Sequence, residues 1–274
     1  MAQETSKKRR RIPTKTVVRY SSIAAAMCLV LAGGIYASQG FEQFLIRDPR
    51  FFLPGPAEYG HQSANIELSG VRYASRARIL GLFDEDYGRS IYLLPLAARR
   101  KALLNINWVR EASLVRVWPD RLDVVVTERQ PVAFLRLPST DITRWALIDD
   151  EGFILDPPAH APFHLPVLSG IPPGEPAAKR AKRVRRMQQL MKDLARHSDG
   201  VSEVDVSDLD DLKISWAIQG RAVTLLMGES NFSSRIENFL DHYSDIHRKM
   251  PKASTFDLRL DDRITGLEDP GSAR

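Results

Sequence analysis

The sequence predicts an α+β protein hung on one membrane-spanning helix, with a β-α-α-β-β domain after the span and then a second, antiparallel β-rich domain that carries helices. Three observations predict it. An uncharged apolar run occupies Ser21 to Ser38, strand-length alternation punctuated by turn residues follows it, and two later segments show apolar stripes at helical spacing. At 274 residues, 43% hydrophobic and 27% charged, the chain is long enough for one large or two ordinary cored domains.

The first element is a basic tail, residues 1–20. Lys7, Lys8, Arg9, Arg10, Arg11, Lys15 and Arg19 against the single acid Glu4 give it +6, so a chain of formal charge +5 carries only −1 over the rest. A nucleic-acid binder needs its basic excess on the folded part, and that excess is absent there. The apolar run, "SSIAAAMCLVLAGGIYAS", reaches roughly 27 Å as a helix, close to the hydrocarbon thickness of a bilayer. We therefore place a transmembrane helix at 21–41. A cleaved signal peptide is the alternative, but its apolar region is ordinarily shorter than this one. Basic residues before the run, with none immediately after, predict a cytoplasmic N-terminus and a periplasmic bulk beyond the inner membrane. The one cysteine, Cys28, lies inside the span and reads as apolar filler. The exported part thus has no thiol for a disulfide or a metal site.

Residues 42–64 read as a spacer, because Pro49, Pro54, Pro56, Gly55 and Gly60 oppose a continued helix. The domain expected at 65–130 begins with a strand at Asn65 to Val71. A helix follows from Ser75 through Ala77, Ile79, Leu80 and Leu82, and a second from Pro95 through Leu96, Leu103 and Leu104. A hairpin closes the domain. In its outgoing strand Leu122, Val124 and Val126 alternate with Arg121, Asp123, Thr127 and Arg129, and Pro119 with Asp120 supplies the turn. Pro131 lacks an N–H for a central ladder, so it marks a boundary or an edge.

The domain expected at 131–263 opens with a meander, Val132 to Leu137, Arg144 to Ile148 and Gly152 to Leu155. Strands at Val201 to Val206, Leu212 to Ile218 and Arg221 to Met227 come later, the last two joined by Gln219 and Gly220. One helix puts Ala181, Val184, Met187, Met191 and Leu194 on a stripe and reads its arginines and lysines as a wet face near Glu203, Asp205, Asp208 and Asp210. Another, Ser233 to His247, buries Ile236, Phe239, Leu240, Tyr243 and Ile246 and feeds a final strand, "STFDLRL", Ser254 to Leu260. Residues 264–274, rich in Gly, Pro and Asp, are expected to be disordered.

No catalytic motif emerges: there is no GxSxG elbow, HExxH helix, phosphate loop or GxGxxG turn. His160 and His164 stand among prolines, and His242 and His247 diverge on a helix, so no metal and no cofactor is expected. "VSDLDD" at Val206 lacks the glycine and glutamate of a calcium loop. Binding is the expected work.

The β-α-α-β-β order and the run "NINWVREASLVRVWPDRLDVVVTERQPVAF", with Trp108, Val109, Ala112, Arg116, Trp118, Pro119, Leu122, Glu128, Arg129 and Pro131, resemble the FtsQ/DivIB family of bacterial cell-division proteins. "LIDDEGFIL" is similar to the family's Ile-Asp-x-x-Gly hairpin through Ile148, Asp149 and Gly152, and "STFDLRL" resembles its last strand. The resemblance implies a POTRA domain, then a β domain, with a hinge at Glu128, Arg129 and Pro131. It implies a non-enzymatic divisome protein whose last strand, Phe256, Asp257, Leu258, Arg259 and Leu260, receives a strand of FtsB. Arg259 would pair with an acid of the partner and Leu260 would occupy an adjoining contact position. FtsL joins the same assembly, and FtsK, FtsW, FtsI and FtsN are further implied partners. The alternative is a POTRA-type chaperone for outer-membrane protein assembly or export, which would need a long C-terminal run of alternating barrel strands that this chain lacks. A membrane-tethered periplasmic enzyme would need converging acids or histidines in a pocket.

Overall fold

The computed structural model describes residues 14–55, 65–137, 144–158, 163–260 and 262–268. His160 and the last residues of the expected tail, 269–274, lie outside that set. The described chain divides into two compact units. One holds the residues up to Ser69 together with Ala77–Arg100 and Ser113–Val125, and the other holds Gly70–Arg76, Lys101–Ala112 and the chain from Val126 onward.

The first unit begins with α1 (Thr14–Arg47). Its part from Ser22 is, among the described residues, the one helix long and apolar enough to cross a membrane, and none of its apolar 18-residue window is buried in the protein. The spacer expectation needs correction at its start. A short 3₁₀ turn, Pro49–Phe51, capped by Asp48, follows α1 directly, and Leu53 is buried, donating to Arg89 O at 2.9 Å and accepting from Gly88 N–H at 2.9 Å. Proline ends a helix without freeing the chain when the next residues find partners, as they do here.

The small sheet has the order β1-β3-β2, from β1 (Ile66–Ser69), β2 (Val109–Val117) and β3 (Arg121–Glu128). β1 lies parallel to β3, Ile66 opposite Leu122, and the chain between β1 and β2 supplies α2 (Arg76–Leu80) and α3 (Leu96–Leu104). The alternation read from the sequence holds in β3, where Leu122, Val124 and Val126 are buried.

The larger sheet has nine strands in the order β12-β11-β10-β9-β8-β7-β4-β5-β6. They are β4 (Pro131–Leu137), β5 (Arg144–Asp149), β6 (Ile154–Leu155), β7 (Val167–Ser169), β8 (Val201–Asp205), β9 (Leu212–Ile218), β10 (Arg221–Gly228), β11 (Ala253–Asp257) and β12 (Thr265–Glu268). The sheet is mixed where a purely antiparallel one was expected: β4 with β7, β7 with β8 and β10 with β11 run parallel. The cause is in the connections. α4 (Ala177–Asp193) joins β7 to β8 and α5 (Phe232–Lys249) joins β10 to β11, and a helical crossover returns the chain in the direction it left. Pro131 begins β4, where the missing N–H costs no interior ladder bond.

One core serves this sheet. Leu135, Ile148, Leu168, Val204, Ile214, Leu225 and Phe256 rise from successive strands to meet Val184, Met187 and Leu190 of α4 and Phe232, Ile236, Phe239 and Tyr243 of α5. Burying a side chain of this size contributes about 1.5–3 kcal/mol. The arginines of α4 are not a free wet face. Arg183 pairs with Glu175 at 3.0 Å and donates to the carbonyls of Val206 and Ser207; Arg186 donates to Leu209 O and Glu229 O; Arg180 donates to Gly152 O. They satisfy loop carbonyls that no strand or helix reaches, which is worth more than solvation of the same charge. Lys179, Lys182 and Arg185 keep the exposed side.

Candidate partner-binding edge

The strand expected to accept a partner is β11, and the structure gives it neighbours on both sides. β10 pairs with it in parallel, Leu225 opposite Phe256, and β12 pairs with it antiparallel, with Phe256 opposite Gly266 and Asp257 opposite Thr265. The acceptor edge expected at Phe256 to Leu260 is therefore already filled by the chain's own Thr265–Glu268, a segment expected to be disordered. The terminal strand, with one neighbour among the described residues, is β12.

The residues of the predicted site divide between anchoring and display. Phe256 is buried under α5, its ring 5.3 Å from that of Phe239, and Leu258 is buried while donating its N–H to Leu226 O at 3.0 Å. Leu260 is about half exposed, as is Leu267 of β12. Gly266 matches a tight place: a Cβ there would stand 2.8 Å from Met250 Sδ and 3.1 Å from Ala253 Cβ.

Arg259 is not a cation waiting for a partner. Its guanidinium binds both oxygens of Asp257, at 2.9 and 2.6 Å, and reaches Asp211 at 3.0 Å, while its backbone N–H donates to Asp257 Oδ1 at 3.0 Å. Arg235 in turn donates to Arg259 O at 2.9 Å. The hydrogen bonds from Arg259 hold the Asp257 carboxyl below the usual carboxylate range, against a smaller opposing effect of burial, and the same pairing raises the Arg259 guanidinium. A cavity of about 290 Å³ opens beside this loop, lined by Asn231, Ser234, Arg235, Asn238, Leu258, Leu260 and Ile264. A second, of about 420 Å³, adjoins it through Asn238 and Ile264 and runs along α5 past His242, Ile246 and Met250. His242 and His247 go separate ways, His242 to Asn238 O and His247 onto the Tyr243 ring, and no group of metal-ligating residues occurs among the described residues.

The expected hinge residues Glu128, Arg129 and Pro131 are heavily tied. The Glu128 carboxylate accepts the backbone N–H groups of Arg72, Tyr73 and Ala74 at 2.7 to 3.0 Å. Arg129, 8% exposed, pairs with fully buried Asp149 at 2.7 Å and with Glu151 at 2.8 Å, and lies 3.6 Å over the Phe153 ring. Asp149 Oδ1 accepts the N–H groups of Glu151 and Phe153, and Arg110 closes the ring onto Asp150 and Glu151. Arg129, joined by Arg110, holds the Glu151 carboxyl below the usual range despite the counteracting burial. Gly152, at φ +80°, completes the turn: a Cβ there would stand 2.4 Å from Ala177 O.

Residues 62–129 match the model of the POTRA domain, FtsQ-type. A relative named cell division protein FtsQ, from Koribacter versatilis, is 32% identical over 261 residues, covering 92% of this chain and 72% of the relative. The chain belongs to the FtsQ family of cell division proteins. Other FtsQ relatives are those of Nitrosospira multiformis, 25% identical over 209 residues with 74% of this chain and 80% of the relative covered, and of Novosphingobium aromaticivorans, 28% identical over 219 residues with 79% and 64% covered. The family expectation and the α+β class with its POTRA domain are borne out. The stretch Asp149-x-x-Gly152 supplies the buried carboxylate and the left-handed turn of the Arg129 network.

Proposed function

We propose that this FtsQ-family chain is a non-catalytic assembly protein of the divisome. α1 holds it in the inner membrane with its N-terminus in the cytoplasm, and its bulk works in the periplasm at the septum. It captures a partner by accepting an extended segment along the outer side of β12. One observation carries this reading: β12 ends the sheet, so its outward N–H and C=O groups have no strand beyond them among the described residues. A strand laid there gains main-chain bonds, and side chains at alternate positions meet Leu267, Leu260 and the cavity at Ile264. FtsB is the proposed strand donor, with FtsL beside it, and FtsK, FtsW, FtsI and FtsN form the wider set of partners.

In this reading Phe256 and Leu258 are the anchors that fix the acceptor, Leu260 offers apolar contact, and Asp257 with Arg259 sets the loop leading into β12. Glu128, Arg129 and Pro131 are the proposed hinge residues, and the charge-assisted bonds that Glu128 and Arg129 make all lie within the second unit. The family's two domains are proposed at 65–130 and 131–263, with β12 added to the second.

The test is co-purification with FtsB. Truncation after Ile264, which removes β12, is expected to abolish capture. Capture kept or strengthened would instead make β11 the acceptor and β12 a placeholder that the partner displaces. Of Leu267→Pro and Glu268→Pro, the one whose N–H points outward is expected to lose capture while its melting curve stays native.

A further inference from the structure

We propose that the first compact unit carries a membrane-docking collar around the base of α1, and that the phospholipid interface itself is its ligand. The inference rests on the reading of α1 as a bilayer anchor and goes beyond it, since a tethered domain need not touch the lipid.

The argument starts from lengths. Ser22 to Phe41 is uncharged throughout, and at about 1.5 Å per residue those residues span roughly the 30 Å of a hydrocarbon core. Glu42 is the first charge after it, so the end of the hydrocarbon falls at Phe41. The helix does not stop there. It continues to Arg47, and its last turns are gripped by the unit: Leu45 is buried, Ser90 Oγ donates to Leu45 O at 2.7 Å, and Tyr92 Oη donates to Glu42 at 3.3 Å. A unit clasped within about one turn of the last hydrocarbon residue has its underside in the headgroup layer, which is only about 5–8 Å deep.

What that underside presents is the composition that interfaces select. Phe44 stacks edge-on against Phe51 at 5.4 Å, and Phe51 against Trp118 at the tip of the β2–β3 hairpin at 5.6 Å. Trp118 is 49% exposed and Leu93 is 52% exposed, with Phe44 and Tyr92 exposed beside them. On a water-soluble surface such a group is an unpaid apolar patch; in the headgroup layer, indole and phenol rings sit at their preferred depth. Arg47 adds a cation that lipid phosphates attract, while Arg50, paired with Asp48 at 2.7 Å, lies 5.7 Å over the Phe44 ring. A slot of about 410 Å³ lies among Phe44, Arg50, Phe51, Pro119 and Asp120, open to a headgroup.

The experiment uses the full chain with Cys28→Ala, one copy per nanodisc of phosphatidylethanolamine and phosphatidylglycerol. Single cysteines from Ile35→Cys, Leu93→Cys, Trp118→Cys and Val125→Cys carry an environment-sensitive fluorophore, quenched by lipids bearing a nitroxide near the headgroup. Val125 is the control: it is exposed, but it lies four residues up β3 from Arg121, about 13 Å from the turn. Labels at 93 and 118 are expected to be quenched at least about twofold more than the label at 125, as interfacial residues are. Quenching at 93 and 118 no greater than at 125, with 35 strongly quenched, overturns the collar and leaves the anchor standing. An unquenched label at 35 overturns both, and neither result bears on capture at β12.

Discussion

Two arginine–carboxylate pairs of nearly equal length stand in opposite circumstances. Arg129 meets Asp149 at 2.7 Å in the interior, and Arg259 meets Asp257 at 2.6 Å at the surface. The first is enclosed, with Phe153 stacked on the guanidinium and both carboxylate oxygens engaged. The second has a guanidinium nearly half exposed, and a second acid, Asp211, shares it. Distance alone does not rank them. Removing one member of a buried pair strands a charge away from water, whereas removing one member of a surface pair returns the other to solvent. The comparison teaches that enclosure, not distance, sets what such a pair contributes to stability.

Arg129→Ala should have the largest effect, a loss of about 3–5 kcal/mol, because Asp149 stays behind buried and uncompensated. Urea unfolding of the chain that follows α1 measures it, and a loss under about 1 kcal/mol would place the inner pair on the same footing as the outer one. Gly152→Ala ranks next, at about 1–3 kcal/mol, from the left-handed backbone that the turn of the same network requires and from the carbonyl of Ala177 in the way of a Cβ. The same unfolding curves rank it against Arg129→Ala.

Acid titration sharpens the contrast further. Glu151 and Asp257 both have folded values depressed below their ordinary 4.5 and 3.8. A depressed carboxylate contributes stability that is present above its unfolded pKa and lost as pH falls through the folded one. Stability should therefore decline below about pH 4.5, and Arg129→Ala, by removing the leading cause of the Glu151 shift, should flatten that decline. Thermal melting at a series of acidic pH values checks it, and an unchanged slope in the variant would remove Glu151 from the account. Arg259→Ala should be the mildest change, within about 1 kcal/mol of the parent. A loss of several kcal/mol there would mean that the terminal loop is as structural as the interior.

Much of this molecule was legible from residue order because its long elements carry a period. The apolar run announced α1, Leu122, Val124 and Val126 announced β3, and the stripes Ala181 to Leu194 and Ile236 to Tyr243 announced α4 and α5. Short elements escaped. β7 has three residues between prolines, too few to alternate, and β12, "TGLE", has no apolar face to read. Roles held by charged side chains escaped as well. Arg183 and Arg186 look like a solvated face in one dimension and become carbonyl caps only when loops from β8 to β9 arrive beside them. The same blindness hid the ties of Glu128, whose three donors lie more than fifty residues earlier in the chain. Tertiary partners, not local propensity, decide such positions.

The parallel seam between β10 and β11 has a mechanical meaning. Since α5 brings β11 back alongside β10, a tug directed along the terminal ribbon strains several ladder bonds together, in shear, instead of opening them in succession like a zipper. From there the pull is passed sideways across the ordered rows to β6. A ribbon held this way resists a load directed along it better than one that lifts it out of the sheet.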